Sequence, residues 1–239
     1  MTRTIVSKGA HKEEHLRSSD FITDMVIGMS DGLTVPFALA AGLSGAVHSN
    51  SVVITAGIAE IVAGSIAMGL GGYLAGKTEQ EHYQAELERE YNEVENVPEK
   101  EKEEVKEVFA LYGLNGSAQN IIAAELSKDK DKWVDFMMKY ELGLEKPNAH
   151  RARNSAATIG ISYIIGGLIP LTAYFFTHTP YHGLFVSSIL TVICLFLFGY
   201  FKSKVTGQPP LKGAFKVTLI GIIAAAAAFL IAKTVNNLF

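Results

Sequence analysis

Long apolar stretches broken by short polar turns dominate the chain, and they predict helices that cross a membrane. About 20 apolar residues are needed to span the hydrocarbon core. Five segments meet that length: residues 21–47, 52–76, 155–176, 184–202 and 213–232, the last containing LIGIIAAAAAF. The first two spans are joined by HSNS (His48–Ser51) and the third and fourth by THTPYHG (Thr177–Gly183), turns that carry neither Lys nor Arg.

Between the second and third spans the pattern turns polar without losing its helical character. No Gly or Pro follows Gly76 in GYLAGKTEQEHYQAELEREYNEVENV, so the second span should run on beyond the membrane as one unbroken helix. Pro98 suits the first turn of a second helix, where its missing N–H would be unpaired in any case. A third helix is expected from about Gly116, broken near Asp129 and ended by Gly143 and Pro147. The expected architecture is an all-α membrane protein. It has a segment 1–20, transmembrane helices 1 and 2 in 21–76, a three-helix insert in 77–154, and transmembrane helices 3–5 in 155–239.

Composition sharpens this picture through where the charges fall. The 239 residues are 49% hydrophobic and carry a formal net charge of only −3, which gives no support to a nucleic-acid partner. Residues 79–107 nevertheless hold twelve of the 24 acids against four bases, Arg89, Lys100, Lys102 and Lys106. The single cysteine, Cys194, excludes an intramolecular disulfide and a multi-cysteine metal site. The first 20 residues lack the apolar core of a cleavable signal peptide. Basic flanks precede span one (Arg3, Lys8, Lys12, Arg17) and span three (Arg151, Arg153), and lie between spans four and five (Lys202, Lys204, Lys212, Lys216). By the positive-inside rule these flanks face the cytosol, which places the N-terminus and the insert inside.

Candidate chemistry begins with carboxylates in oil. At 100° per residue, Asp20, Asp24 and Asp31 fall on one stripe of span one. Glu60 of span two shares a face with Gly64 and Met68. Acids at membrane depth normally face a bundle interior or a water-filled path. With no intramembrane Lys or Arg to neutralise them, they call for a cation from outside the protein. The thioether of Met68 tilts such a site from Mg or Ca toward borderline transition metals. Pro36 can open span one beside Asp31, and the run Gly69–Gly76 permits close helix approach between subunits.

The insert repeats the theme. Glu90 and Glu93, and Glu101 and Glu104, each stand at i, i+3 on one helix face, so two facing helices could present four carboxylates to a cation. Met137 and Met138 lie beside Glu141 and near Trp133. Two other metal patterns fail: Glu79-x-x-His82 lacks the second copy that a ferritin-like di-iron site needs. The stretch DKDKWVD from Asp129 lacks the Gly and Glu of a calcium loop.

The chain resembles the vacuolar iron transporter family of plants, fungi and protists over nearly its full length, through SDGLTVPFALAAGLSGA, AGIAEIVAGSIAMGLGGYLA and the Glu-rich insert. The resemblance implies a homodimer with five membrane helices per subunit. It would be a multi-pass protein of the vacuolar membrane, or of the plasma membrane in a prokaryote, with a cytosolic metal-binding insert. It would exchange cytosolic ferrous iron for protons, with Zn, Co, Mn and Ni as further candidate cargo and no prosthetic group. By position, Asp31 and Met68 match the family's intramembrane ion-binding pair. Glu60 and Asp24 match further acidic positions of the pathway, and Glu90, Glu93, Glu101, Glu104, Met137, Met138 and Glu141 match cytosolic metal ligands. Asp20 stands where a glutamate is expected at the cytosolic entrance. The alternative from another class is a membrane-anchored, ferritin-like protein that oxidises or stores iron in the insert. An anchor, however, has no need of acids inside its spans.

Overall fold

The structure, a computed structural model, describes residues 20–238, with side chains described through Val235. The N-terminal basic residues Arg3, Lys8, Lys12 and Arg17 lie outside the described residues. Every regular element is helical among the described residues: α1 (Asp20–Ser44), α2 (Asn50–Asn96), α3 (Pro98–Leu111), α4 (Gly116–Leu126), α5 (Lys130–Phe136) with a following π-turn (Met137–Glu141), α6 (Arg151–Phe175), α7 (Pro180–Val205) and α8 (Pro210–Leu238). Five of them, α1, α2, α6, α7 and α8, are long and apolar enough to cross a membrane. The chain divides into two compact units, one formed by the described residues through Gly69 and from Ala157 onward, the other by Leu70–Ala156.

In the first unit the helices pack through small residues. A Cβ on Gly28 or Gly32 would collide with the backbone carbonyls of Ile159 and Tyr163, so α1 and α6 meet backbone to backbone. The same is true of α7 and α8, where Gly199 lies against Ala214 and Gly213 against Ser203. Without a hydrophobic drive between helices in lipid, this close approach supplies the dispersion contact that holds a bundle together. The buried stripe of α7 reads Gly183, Ser187, Thr191, Leu195, Gly199, Ser203, while Phe185, Ile189, Ile193, Leu197 and Phe201 point outward. Ser187 donates to the carbonyl of Pro170 at 2.7 Å. Pro36 is buried within an α1 that stays helical through it. At one end of this unit Ser44 and the buried Tyr174 hydroxyl are 2.9 Å apart. Asn50 donates to the carbonyls of Tyr174 and Thr177 there, capping the end of α6.

In the second unit α2 continues unbroken to Asn96, as its composition predicts. One residue, Val97, separates it from α3, and its N–H bonds the Glu93 carbonyl at 2.8 Å. The third helical stretch is interrupted at Ser127–Asp129. Asp129 caps α5 by accepting from the Lys132 N–H, and Asp131 accepts from the Tyr91 hydroxyl at 2.9 Å. Asp129 and Asp131 of DKDKWVD are therefore a capping and a tethering group. Val94, Val105, Ala123, Trp133, Val134, Met137 and Met138 form the core of this unit. Gly76 lies against the backbone of Ala152, whereas Gly71 has no neighbour within 4 Å.

The glycine contacts give a test of the bundle. Gly32→Ala should destabilise the protein by roughly 1–3 kcal/mol, because the facing atom is backbone and cannot swing aside. Gly116→Ala, in open space at the start of α4, should be neutral or slightly stabilising. Thermal unfolding of the two variants in detergent checks the contrast, and equal midpoints would refute the close crossing of α1 and α6.

Candidate functional site

The carboxylates of the insert converge because of a symmetry about Val97. Glu93 and Glu101 lie four residues either side of it, and Glu90 and Glu104 seven residues either side. When α2 turns into α3 at that single residue, both i, i+3 pairs come to one place. Glu90, Glu93 and Glu101 each offer an oxygen, all within 4.8 Å of one another. Glu141 joins them electrostatically: it, Glu104 and Glu93 all act on Glu90 and Glu101. The π-turn makes this possible, since its Leu142 N–H to Met137 carbonyl bond, 3.0 Å, widens the helix by one residue. Met137 and Met138 then enter the core while Glu141 stays at the surface.

Partners are distributed unevenly in this cluster. Glu93 is met by Arg89 at 3.3 Å and Glu104 by Lys100 at 2.8 Å, on the solvent side. Glu90 and Glu101 are 2% and 0% exposed. One oxygen of Glu90 and both oxygens of Glu101 lack any hydrogen-bond partner. A buried, unpaired carboxylate is among the costliest groups a protein can hold. Burial first, and then the neighbouring glutamates, push both carboxyls up to about 7. Glu141, though exposed as a residue, is raised as well, chiefly by desolvation of its carboxyl among its neighbours and next by Glu104. The inner pair therefore holds either protons or a cation, and an all-oxygen donor set suits a hard or borderline divalent ion.

Met137 and Met138, 0% and 1% exposed, are packed among Trp133, Val134, Val94 and Val105. Their first physical role is to fill the core beneath the carboxylates. Glu79 of the Glu-x-x-His pattern pairs with Arg151 at 3.6 Å, and His82 is exposed.

In the other unit, Asp24 is buried, Asp31, Glu60 and Met68 are half-buried, and Asp20 is exposed. Among the described residues these acids form no group of three convergent ligands. The structure does bring one of them to a residue that the sequence reading missed. The Tyr163 hydroxyl of α6 donates to Glu60, and the other Glu60 oxygen is buried without a partner. The Tyr163 ring occupies the space that a side chain on Gly64 would fill. Asp31 also acts electrostatically on that hydroxyl. Gly64, one turn after Glu60, is the sequence signal: it leaves a gap on the acidic face that a large side chain must fill.

These features sit in a chain whose residues 22–233 match the model of the VIT family. The chain belongs to that family. Among its relatives, Vacuolar iron transporter 1 of Tulipa gesneriana is 49% identical over 227 residues, covering 95% of this chain and 92% of the relative. Vacuolar iron transporter 1 of Arabidopsis thaliana is 50% identical over 227 residues, covering 95% and 91%. Protein CCC1 of Saccharomyces cerevisiae is 40% identical over 220 residues, covering 89% and 68%. The matched region of this VIT-family chain takes in Asp24, Asp31 and Glu60 of the spans and the glutamates of the insert, and begins two residues after Asp20.

The raised carboxyls of the insert fix the sign of two pH effects. Native Glu90 and Glu101 bind more protons than an unfolded chain between the ordinary value of 4.5 and about 7. Stability of the metal-free protein therefore declines as pH rises through that window. Metal binding needs the ionised form, so affinity should climb over the same interval. Calorimetry of a divalent ion in buffers of different ionisation enthalpy should find roughly one to two protons released per cluster at pH 6 and close to none at pH 8. Equal proton release at both values would show that the pair is already ionised at pH 6.

Proposed function

We propose that this protein is a proton-coupled antiporter, not an enzyme, that carries ferrous iron from the cytosol into an acidic vacuole, with Mn, Co, Ni and Zn as further candidate cargo. The observation that carries the reading is the set of desolvated carboxylates that, among the described residues, no basic side chain meets in an ion pair, Glu90 and Glu101 in the insert and Asp31 and Glu60 in the spans. It is supported by membership of a family whose relatives named above include vacuolar iron transporters.

The roles follow from chemistry. Asp31 and Met68 bind the ion in the membrane through one oxygen and one sulfur. A single subunit has too few ligands there, so the functional form is a homodimer in which two copies of the pair meet on the two-fold axis. Asp20 and Asp24 lead the ion toward Asp31, and Glu60, oriented by Tyr163, accepts protons nearby. A protonated carboxyl is a poor ligand, so protons arriving from the acidic side displace the metal there, and on the neutral side the metal displaces protons. No nucleotide is needed for this exchange. With the N-terminus and the insert in the cytosol, Glu90, Glu93, Glu101, Glu104 and Glu141 collect the ion before it reaches the membrane. Met137 and Met138 support that cluster from the core and supply thioethers if it opens.

Two experiments in proteoliposomes with an acidic interior test the assignment. Asp31→Asn, nearly isosteric, should fold normally and reduce ferrous uptake to the protein-free baseline. Full uptake by that variant would overturn the membrane site. Changing Glu90, Glu93, Glu101 and Glu104 together to Gln should reduce uptake several-fold at low iron and little at saturation, because a collecting site raises local ion concentration without forming the path. Loss at every iron concentration would make the insert part of the translocation path itself.

A further inference from the structure

The turn between α7 and α8 carries Lys202, Lys204, Lys212 and Lys216. The last acid in the sequence is Glu145, so α7, α8 and their turn contain no carboxylate at all. Among the described residues none of these four lysines makes an ion pair. Lys204, Lys212 and Lys216 are exposed and Lys202 is half-buried. Everywhere else in the described chain lysines are commonly held by a neighbouring acid, as Lys100, Lys102, Lys106, Lys128, Lys130 and Lys132 are.

The geometry of the turn groups three of them. Ser203 faces Gly213 so closely that no side chain fits between the helices. In two antiparallel helices that touch at such a pair, the residue just before each contact falls on the same side of the hairpin. Those residues are Lys202 and Lys212, and Lys216 joins Lys212 one turn further on. Lys204, just after the contact, points to the other side. The platform is rigid: Gly207 takes a positive φ of 69°, the Gln208 N–H bonds the Ser203 carbonyl at 2.8 Å, and the Gly207 N–H bonds that of Lys204 at 3.3 Å. This is a helix C-cap of the Schellman kind.

Depth completes the argument. The 26 residues of α7 extend about 39 Å, longer than the roughly 30 Å hydrocarbon core. Because α7 exceeds the core and charged lysine side chains avoid hydrocarbon, we assign the last turn of α7 and the first two turns of α8 to the headgroup layer. Phe201 and Phe215, 59% and 66% exposed, adjoin Lys202 and Lys216 in sequence, and the Phe215 ring packs edge-on against Phe196 of α7 at 5.5 Å. Three unpaired ammonium groups on one side of a fixed hairpin, at phosphate depth and beside exposed rings, match a lipid with a negative headgroup.

We propose that Lys202, Lys212 and Lys216 form a binding site for an anionic phospholipid of the leaflet that the α7–α8 turn faces. The lipid phosphate and its acidic headgroup take the ammonium donors, and its chains lie against Phe201 and Phe215. The site is separate from the metal pathway, and it rests only on α7 and α8 spanning the membrane, not on the direction or coupling of transport.

Native mass spectrometry of the full chain in detergent, titrated separately with phosphatidylserine and phosphatidylcholine, tests this. The wild type should retain phosphatidylserine in preference to phosphatidylcholine, and less of it as salt rises. A combined Lys202→Gln, Lys212→Gln, Lys216→Gln variant should lose affinity for phosphatidylserine by roughly a hundredfold, about fivefold per lysine. The corresponding triple Arg variant should keep it, and Lys204→Gln should lose much less than the triple Gln variant. If the triple Gln variant proves unstable, the comparison of Lys212→Gln with Lys204→Gln carries the test. Equal retention of the two lipids by the wild type, or unchanged retention by the Gln variants, would overturn the site and leave the lysines as topology signals only.

Discussion

A carboxylate taken out of water must find a positive partner or take up a proton, and this protein answers that constraint differently at successive places. On the outer side of the insert, Glu93 and Glu104 are answered by Arg89 and Lys100. One layer further in, Glu90 and Glu101 have no such partner and are pushed up to about 7. In the spans, Glu60 takes one hydrogen bond from Tyr163 and keeps its second oxygen buried and unpaired. Exposed ion pairs contribute little to stability. The outer pairs therefore matter less as stabilisers than as a collar, which leaves the inner carboxylates as the places where an arriving cation gains most.

The helices serve this arrangement by fixing backbones, not by burying large side chains. In the membrane unit the close contacts are made by Gly28, Gly32, Gly199 and Gly213, so side chains on the other faces are free to be lipid-facing or functional. Gly64 belongs to the same economy: its missing side chain admits the Tyr163 ring and so aims a hydroxyl at Glu60. In the insert an ordinary apolar core does the holding, and Trp133, Met137 and Met138 fill it.

This division explains what the sequence revealed. Spans read well because hydrophobic length is a one-dimensional property; α1, α2, α6, α7 and α8 fall on the five expected segments with ends shifted by a few residues, and α2 continues to Asn96 as the absence of Gly and Pro implied. The paired glutamates were legible because i, i+3 spacing is local. Their convergence was written in the sequence too, as the mirror spacing about Val97, but it becomes visible only when the hairpin at that residue is known. Tyr163 was invisible because it lies 103 residues from Glu60 and resembles any other aromatic residue in an apolar helix. The π-turn gave no signal either: Met-Met-Lys-Tyr-Glu is an acceptable α-helix, and the extra residue serves tertiary packing that local propensity does not encode.

The difference between the outer and inner glutamates bears on what the proposed collecting site gains from a rigid hairpin. A carboxylate at its ordinary value of 4.5 is almost wholly ionised near neutral pH, so protons compete for it little there. Two carboxyls near 7 instead change occupancy over the small pH interval around neutrality, and any ion they hold is bound in competition with protons. That competition depends on the pair remaining desolvated and unpaired. If the hairpin at Val97 loosened, water would enter and the values would relax toward 4.5; if a lysine reached inward, the charge would be cancelled. The one-residue connection, the π-turn that brings Glu141 alongside, and the core beneath thus have a common effect. They keep two negative charges apart from water without letting the fold neutralise them, and it is this uncancelled charge, not the number of glutamates, on which the proposed reversible metal site rests.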